Sequence, residues 1–166
     1  LDPRTKEKRT LDQFSFSSTK WREETGRALD EFIRFCEREY GDHIVGYHLA
    51  AGAAGEWSYS WTPALSDYSD AQLAAFRRWL RELYGGDREA LRRAWKDAQA
   101  DFETARIPLD RTRGNGEPSL LDPARERRII DYLAFHSETV AEAILHFARV
   151  CKATLRDMGR RKVCGV

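Results

Sequence analysis

The sequence predicts a helix-rich α/β fold. Residues 44–50 form an apolar run of the length of a buried strand, and segments with helical apolar spacing stand before and after it. A second short apolar stretch, Val163-Cys164-Gly165-Val166, follows the longest of those segments. Helix, strand, loop, helices, long helix and strand, in that order, is the alternation from which parallel sheets are built.

Residues 1–16 are mostly polar and charged, with Phe14 and Phe16 alternating with serines near the end, which reads as an extended lead-in. Ser17 or Ser18 suits the N-cap of the first helix. Its apolar stripe is Trp21, Ala28, Leu29, Phe32, Ile33 and Cys36. Tyr40-Gly41-Asp42 ends it, with Gly41 expected in the left-handed conformation that glycine adopts at little cost. The strand at 44–50 follows after so short a turn that helix and strand should be adjacent and antiparallel.

Residues 51–68 are rich in Gly, Ala, Ser and aromatic residues, a long loop for a compact domain and of the kind that often carries function. Ser69-Asp70-Ala71-Gln72 is a capping-box pattern that opens a helix with Leu73, Phe76, Leu80 and Leu83 inward. Gly85-Gly86 stops it, and Asp87 caps a short helix with Ala90, Leu91, Ala94 and Trp95 on one side. An extended piece with Phe102, Ile107 and Pro108 leads to Gly114-Asn115-Gly116, a turn signal. Asp122-Pro123 should begin the longest helix, with proline at its first position. Ile129, Leu133, His136, Val140, Ala143, Phe147, Val150 and Thr154 make its expected inner face, and Gly159 closes it.

Composition narrows the function classes. The chain has 166 residues, 33% of them charged, and a formal net charge of +1. The signs are mixed along the chain, which argues against a nucleic-acid binder with its basic stripe. Arg125-Glu126-Arg127-Arg128 and Arg160-Arg161-Lys162 read as solvated helix ends, the latter offsetting a helix dipole. No apolar run approaches the roughly 20 residues that span a bilayer, so no membrane partner is expected. The chain begins at Leu1 without a basic-then-apolar leader, which suggests a cytoplasmic protein whose native start lies upstream. Cys36, Cys151 and Cys164 are too scattered for a disulfide framework or a zinc knuckle and read as free thiols. His136 and His146 lie ten residues apart on one helix, about 15 Å along its axis. They cannot share a metal, and neither a metal site nor a cofactor is expected.

The chemistry concentrates where the first strand ends. Glu56 follows small residues at that point and is flanked by Trp57, Tyr59 and Trp61. The carboxyl end of a buried strand is where α/β enzymes place catalytic groups, and aromatic faces suit a sugar ring. Glu56 is therefore the candidate catalytic residue, with Trp57, Tyr59, Trp61, Tyr47 and His48 as candidate substrate-binding residues. A loop glutamate can equally cap a helix or pair with arginine. The three aromatic residues can equally cover a core. Tyr47 and His48 face opposite sides of a strand, so at most one points toward a site. Histidine in such a place is more often a core residue than a catalyst.

A family resemblance rests on several of these segments. Gly46-Tyr47-His48-Leu49-Ala50-Ala51-Gly52 with Gly55-Glu56-Trp57 resembles the strand-four region of barrel glycoside hydrolases similar to family 42 β-galactosidases. Phe76-Arg77-Arg78-Trp79-Leu80-Arg81-Glu82-Leu83-Tyr84-Gly85, then Leu91-Arg92-Arg93-Ala94-Trp95, resembles helix four and its extension. Asp131-Tyr132, Phe135-His136 and Val140-Ala141-Glu142-Ala143-Ile144 resemble the helix before strand five. The resemblance implies that residues 1–166 are part of one (β/α)8, or TIM, barrel, from helix three to the start of strand five, with strands near 44–50 and 163–166. A whole barrel takes about 250 residues.

The resemblance also implies a retaining β-glycosidase with Glu56 as general acid/base and the nucleophile, a second glutamate, outside this chain. The isolated segment would then be inactive. A saccharide is the implied partner, and family 42 enzymes suggest trimers. Exposed barrel edges would also drive association, because two parallel strands alone leave unpaired edges. Where the clan usually has Asn before the acid/base, this chain has Gly55. That departure motivates an alternative, a non-catalytic sugar-binding barrel protein. A second alternative is a helical interaction module presenting the stripe of the long helix.

Overall fold

A computed structural model of the protein describes residues 14–51, 57, 67–108 and 121–166. It contains helices α1 (Thr19–Tyr40), α2 (Asp70–Leu83), α3 (Arg88–Trp95) and α4 (Arg127–Asp157), and strands β1 (Gly46–His48) and β2 (Val163–Gly165). The chain divides into two compact units: Leu1–Ser17 with Tyr59–Glu138, and Ser18–Ser58 with Thr139–Val166.

The second unit holds α1, β1, the later part of α4 and β2. Ser18 caps α1, its hydroxyl accepting from the Trp21 N–H at 3.2 Å. The buried positions of α1 are Gly26, Ile33 and Glu37, while Ala28 is exposed and Phe32 is 58% exposed. The expected stripe is thus rotated. The α4 contact runs over Gly26, where an added Cβ would stand 3.4 Å from His146 Nε2 and 3.7 Å from a Val150 methyl.

Gly41 also differs from expectation. It has φ −52°, in the right-handed region, and starts a 3-10 turn over Gly41–His43 instead of reversing the chain. Glycine is needed there for space: a Cβ would lie 3.0 Å from both Arg160 Nη2 and Glu37 Oε2.

The two strands are parallel, with Gly46 opposite Val163, Tyr47 opposite Cys164 and His48 opposite Gly165. Hydrogen bonds from Val163 N to Val45 O (3.3 Å) and from Leu49 N to Gly165 O (2.9 Å) flank the pairing. The strands are shorter than the apolar run because Lys162 Nζ takes the Ile44 carbonyl at 2.6 Å and the Gly41 carbonyl at 2.5 Å. At Gly46 the strands approach so closely that a Cβ would meet the Val163 carbonyl oxygen at 2.7 Å. Ile33, Leu49, Phe147, Cys151 and Leu155 form the core, with Trp21, Leu29, Tyr47, Trp57, Ala148 and Cys164 packed against it.

The first unit is built on α2, α3 and the early part of α4. Ser69 caps α2, its hydroxyl accepting from Gln72 N at 3.2 Å. Only half of the capping box forms. Gln72 is buried; its Oε1 accepts from Ser17 Oγ (2.6 Å) and its Nε2 donates to Tyr132 OH (3.3 Å). The Ser69 N–H turns to Asp67 Oδ1 instead, at 3.0 Å. Gly85 and Gly86 have φ +59° and +75°, as the turn to α3 requires, and Asp87 caps α3 through the N–H groups of Glu89 and Ala90. Leu83 is exposed, so Phe76, Leu80 and Leu91 pack with Ala100, Phe102, Ala105, Ile107, Tyr132 and Phe135.

Asp122-Pro123 heads a separate turn and not the long helix. The Asp122 carbonyl accepts from Arg125 and Glu126, and α4 begins at Arg127. The buried line of α4 runs through Asp131, Tyr132, Phe135, Thr139, Ala143, Phe147, Cys151, Thr154 and Leu155. Apolar spacing found Ala143, Phe147 and Thr154 but drifted off the line earlier in the helix, where Asp131 and Thr139 are polar. Asp131 is satisfied by Tyr84 OH (2.6 Å), Trp95 Nε1 (2.8 Å) and Arg127 Nε (2.7 Å). Gly159, with φ +68°, closes the helix as expected.

Candidate functional site

The sequence predicts a site at the carboxyl end of β1. Glu56, Tyr59 and Trp61 fall outside the described residues; Tyr47, His48 and Trp57 are described. Strand alternation separates the first two. Tyr47 turns toward the core, and its hydroxyl donates to Glu37 Oε1 at 2.8 Å. Burial, and then the hydrogen bond to Glu37, push the Tyr47 hydroxyl far above its ordinary range. It stays a proton donor to that carboxylate at any ordinary pH. Tyr47 thus has a buried partner behind the strand and is not on the side of His48.

His48 is exposed on the opposite face. The residue across from it is Gly165, where even an added Cβ would stay 3.7 Å from His48 Nδ1. An imidazole can both donate and accept hydrogen bonds.

Trp57 is half-buried and returns to the strand end. Its Nε1–H donates to the Leu49 carbonyl at 3.1 Å, and its ring lies 5.8 Å from the Phe147 ring at 31°. Phe147 also packs edge-on against Trp21 at 5.2 Å. The sequence offered Trp57 only as a stacking surface or a core cover. The hydrogen bond to Leu49 was not readable, because its acceptor is a backbone atom.

Behind β1 sits a charge cluster that sequence reasoning also missed. The Glu37 side chain is fully buried, with Arg160 Nε at 3.4 Å and Lys162 Nζ at 3.9 Å from Oε2. The sole signal in the sequence was a glutamate one step beyond the apolar stripe of α1.

Among the described residues, no group of three His, Cys, Asp or Glu side chains is placed to hold a metal ion. The cysteines are free thiols, Cys151 buried and the others half-buried. Burial, and then the hydrogen bond with Cys164, push the Cys151 thiol up to about 12. A thiol so rarely ionised is a poor nucleophile. No helix among the described residues is long and apolar enough to cross a membrane.

Comparison with known proteins gives the family and the fold. The profile of glycoside hydrolase family 42, described as beta-galactosidase, matches residues 2–161. The chain belongs to glycoside hydrolase family 42. Its fold is similar to the crystal structure of a beta-galactosidase from the psychrophilic Marinomonas ef1, with a TM-score of 0.59 and 24% identity. The match covers 92% of this chain and 21% of that one, so this family 42 chain spans about a fifth of that protein's length. At this identity the likeness speaks for the fold: a helix-rich α/β arrangement with two parallel strands. No curated protein matches the sequence.

Proposed function

We propose that this family 42 chain is a segment of a retaining, β-galactosidase-like glycoside hydrolase. In this reading residues 1–166 are part of a single (β/α)8 barrel in which β1 and β2 are neighbouring strands. Glu56 is the general acid/base, and the nucleophilic carboxylate lies outside this chain. The observation that carries the reading is the return of Trp57 to the carboxyl end of β1, at 3.1 Å from the Leu49 carbonyl. Position 56 is one peptide bond away, about 3.8 Å between Cα atoms. That is the end of a parallel strand at which such enzymes hold their catalytic groups.

The chemistry follows from two carboxyl groups about 5–5.5 Å apart. The protonated Glu56 gives its proton to the glycosidic oxygen as the C–O bond breaks, while the nucleophile bonds to the anomeric carbon. Glu56, now a carboxylate, takes a proton from water. The water oxygen attacks the anomeric carbon and releases the nucleophile. His48, exposed on the face away from the core, is the described residue best placed to bond a sugar hydroxyl. The outer edges of β1 and β2 pair with no further strand among the described residues, and with Val45 89% and Val163 70% exposed they support association.

The test is Glu56→Gln in the full-length protein carrying this chain, assayed on aryl β-galactosides. For a poor leaving group such as phenol, kcat/KM should fall by about 10²–10⁴. Azide should restore turnover of an activated dinitrophenyl glycoside, because it replaces water without needing a base. Undiminished turnover of the phenyl glycoside removes Glu56 from the mechanism.

A further inference from the structure

We propose that Trp57 is a positioning residue for the acid/base, holding the backbone beside Glu56 against the end of β1. The proposal rests on the reading of Glu56 given above. It assigns Trp57 a task other than stacking on sugar.

Two independent contacts hold this side chain. The indole N–H is spent on the Leu49 carbonyl at 3.1 Å, a backbone acceptor just past the last paired residue of β1. Leu49 is itself fixed, because its N–H donates to the Gly165 carbonyl at 2.9 Å and its side chain is buried. The ring is seated on Phe147, which is buried in α4 and braced from another side by Trp21. An aromatic residue built as a platform for a pyranose keeps one face open and its polar edge toward ligand. Trp57 turns its polar edge to the protein and joins the core formed by Ile33, Leu49, Phe147, Cys151 and Leu155.

The physical need is clear from the reaction. A general acid must reach one particular oxygen at about 2.6–3.2 Å, and misplacement by about 1 Å costs up to a hundredfold. Small residues precede the glutamate: Gly52, Ala53, Ala54 and Gly55. Trp57, joined to residue 56 by one planar peptide bond, is the fixed point from which that placement is set.

The experiment compares Trp57→Phe with the parent in the full-length protein, on phenyl and 2,4-dinitrophenyl β-galactosides. Phenylalanine keeps a ring for Phe147 and removes the N–H donor. A displaced acid slows only the substrate whose leaving oxygen needs a proton. The expected result is about a tenfold fall in kcat/KM for the phenyl glycoside, equal to about 1.4 kcal/mol. The dinitrophenyl glycoside should lose less than about twofold, and the acid/base limb of the pH profile should shift. An equal fall for both substrates marks a sugar platform or general damage, and an unchanged rate marks a spectator. Either overturns the proposal.

Glu56→Gln separates this proposal from the reading beneath it. If that variant behaves as predicted while Trp57→Phe does not, positioning fails and the acid/base stands. If Glu56→Gln is fully active, both fall. A measurement on the parent covers the case in which the variant does not fold: hydrogen exchange of the Trp57 indole N–H followed by NMR. Exchange at least tenfold slower than in free indole supports the anchor, and exchange at the free rate overturns it.

Discussion

Glu37 offers the sharpest test of how β1 is held. Truncating it to alanine removes an acceptor for Tyr47 OH at 2.8 Å and the counter-charge for Arg160 and Lys162, at 3.4 and 3.9 Å. Breaking a buried ion pair by deleting one partner costs about 3–5 kcal/mol. The lower part of that range applies here. Arg160 is 40% exposed and can turn to water, and Lys162 keeps the Gly41 and Ile44 carbonyls. The stranded Tyr47 hydroxyl adds about 1 kcal/mol, for a total of about 3–4 kcal/mol. With a urea slope of about 2 kcal/mol per M, the unfolding midpoint should fall by about 1.5–2 M. Glu37→Gln keeps the shape and an acceptor and should cost roughly half as much. In a double-mutant cycle, Tyr47→Phe should cost little once Glu37 is alanine, because the two share one hydrogen bond. A Glu37→Ala cost below about 1 kcal/mol, or strict additivity with Tyr47→Phe, would refute the view that this carboxylate clamps the strand.

Two further outcomes follow from the same structure. The Tyr84 hydroxyl, half-buried and bonded to Asp131, is raised from 10.0 to about 12, first by desolvation and then by that bond. A raised phenol contributes stability that is complete below pH 10 and is lost as pH climbs through about 12. Urea midpoints measured across that window should drop, and Tyr84→Phe should flatten part of the drop; an identical profile for the two would contradict the assignment. At Gly46, alanine would drive its methyl into the Val163 carbonyl, 2.7 Å from the ideal Cβ position. Backbone cannot yield there as a side chain can, so the variant should unfold at least 10 °C earlier by circular dichroism, and an unchanged melting point would count against the close approach.

What the sequence disclosed and what it withheld divide along the range of the interactions. Ser18, Ser69 and Asp87 announce helix starts because a cap needs only a few neighbouring residues. Gly85, Gly86 and Gly159 were equally plain, since a positive φ is a local demand. Gly41 misled because its setting is partly distant: besides Glu37, the Arg160 guanidinium crowds it from more than a hundred residues away. The face of α4 was misread where Asp131 and Thr139 are buried, because spacing counts apolar residues and cannot see that Tyr84, Trp95 and Arg127 await the carboxylate. Likewise Gln72 looks like half of a local cap until Ser17 and Tyr132 arrive from afar. At the site, alternation already separated Tyr47 from His48. Only the Glu37 contact shows which of the two faces the core.

The bond between Trp57 and the Leu49 carbonyl also makes a closed circuit of the seven residues 50–56. Once its two ends are joined, the length of such a circuit matters little: doubling it costs only about 0.6 kcal/mol of closure entropy. The intervening stretch can thus be lengthened or shortened while residue 57 keeps its address. A scaffold wired in this way lets the stretch ahead of Trp57 change over generations while the indole keeps its seat on the strand end.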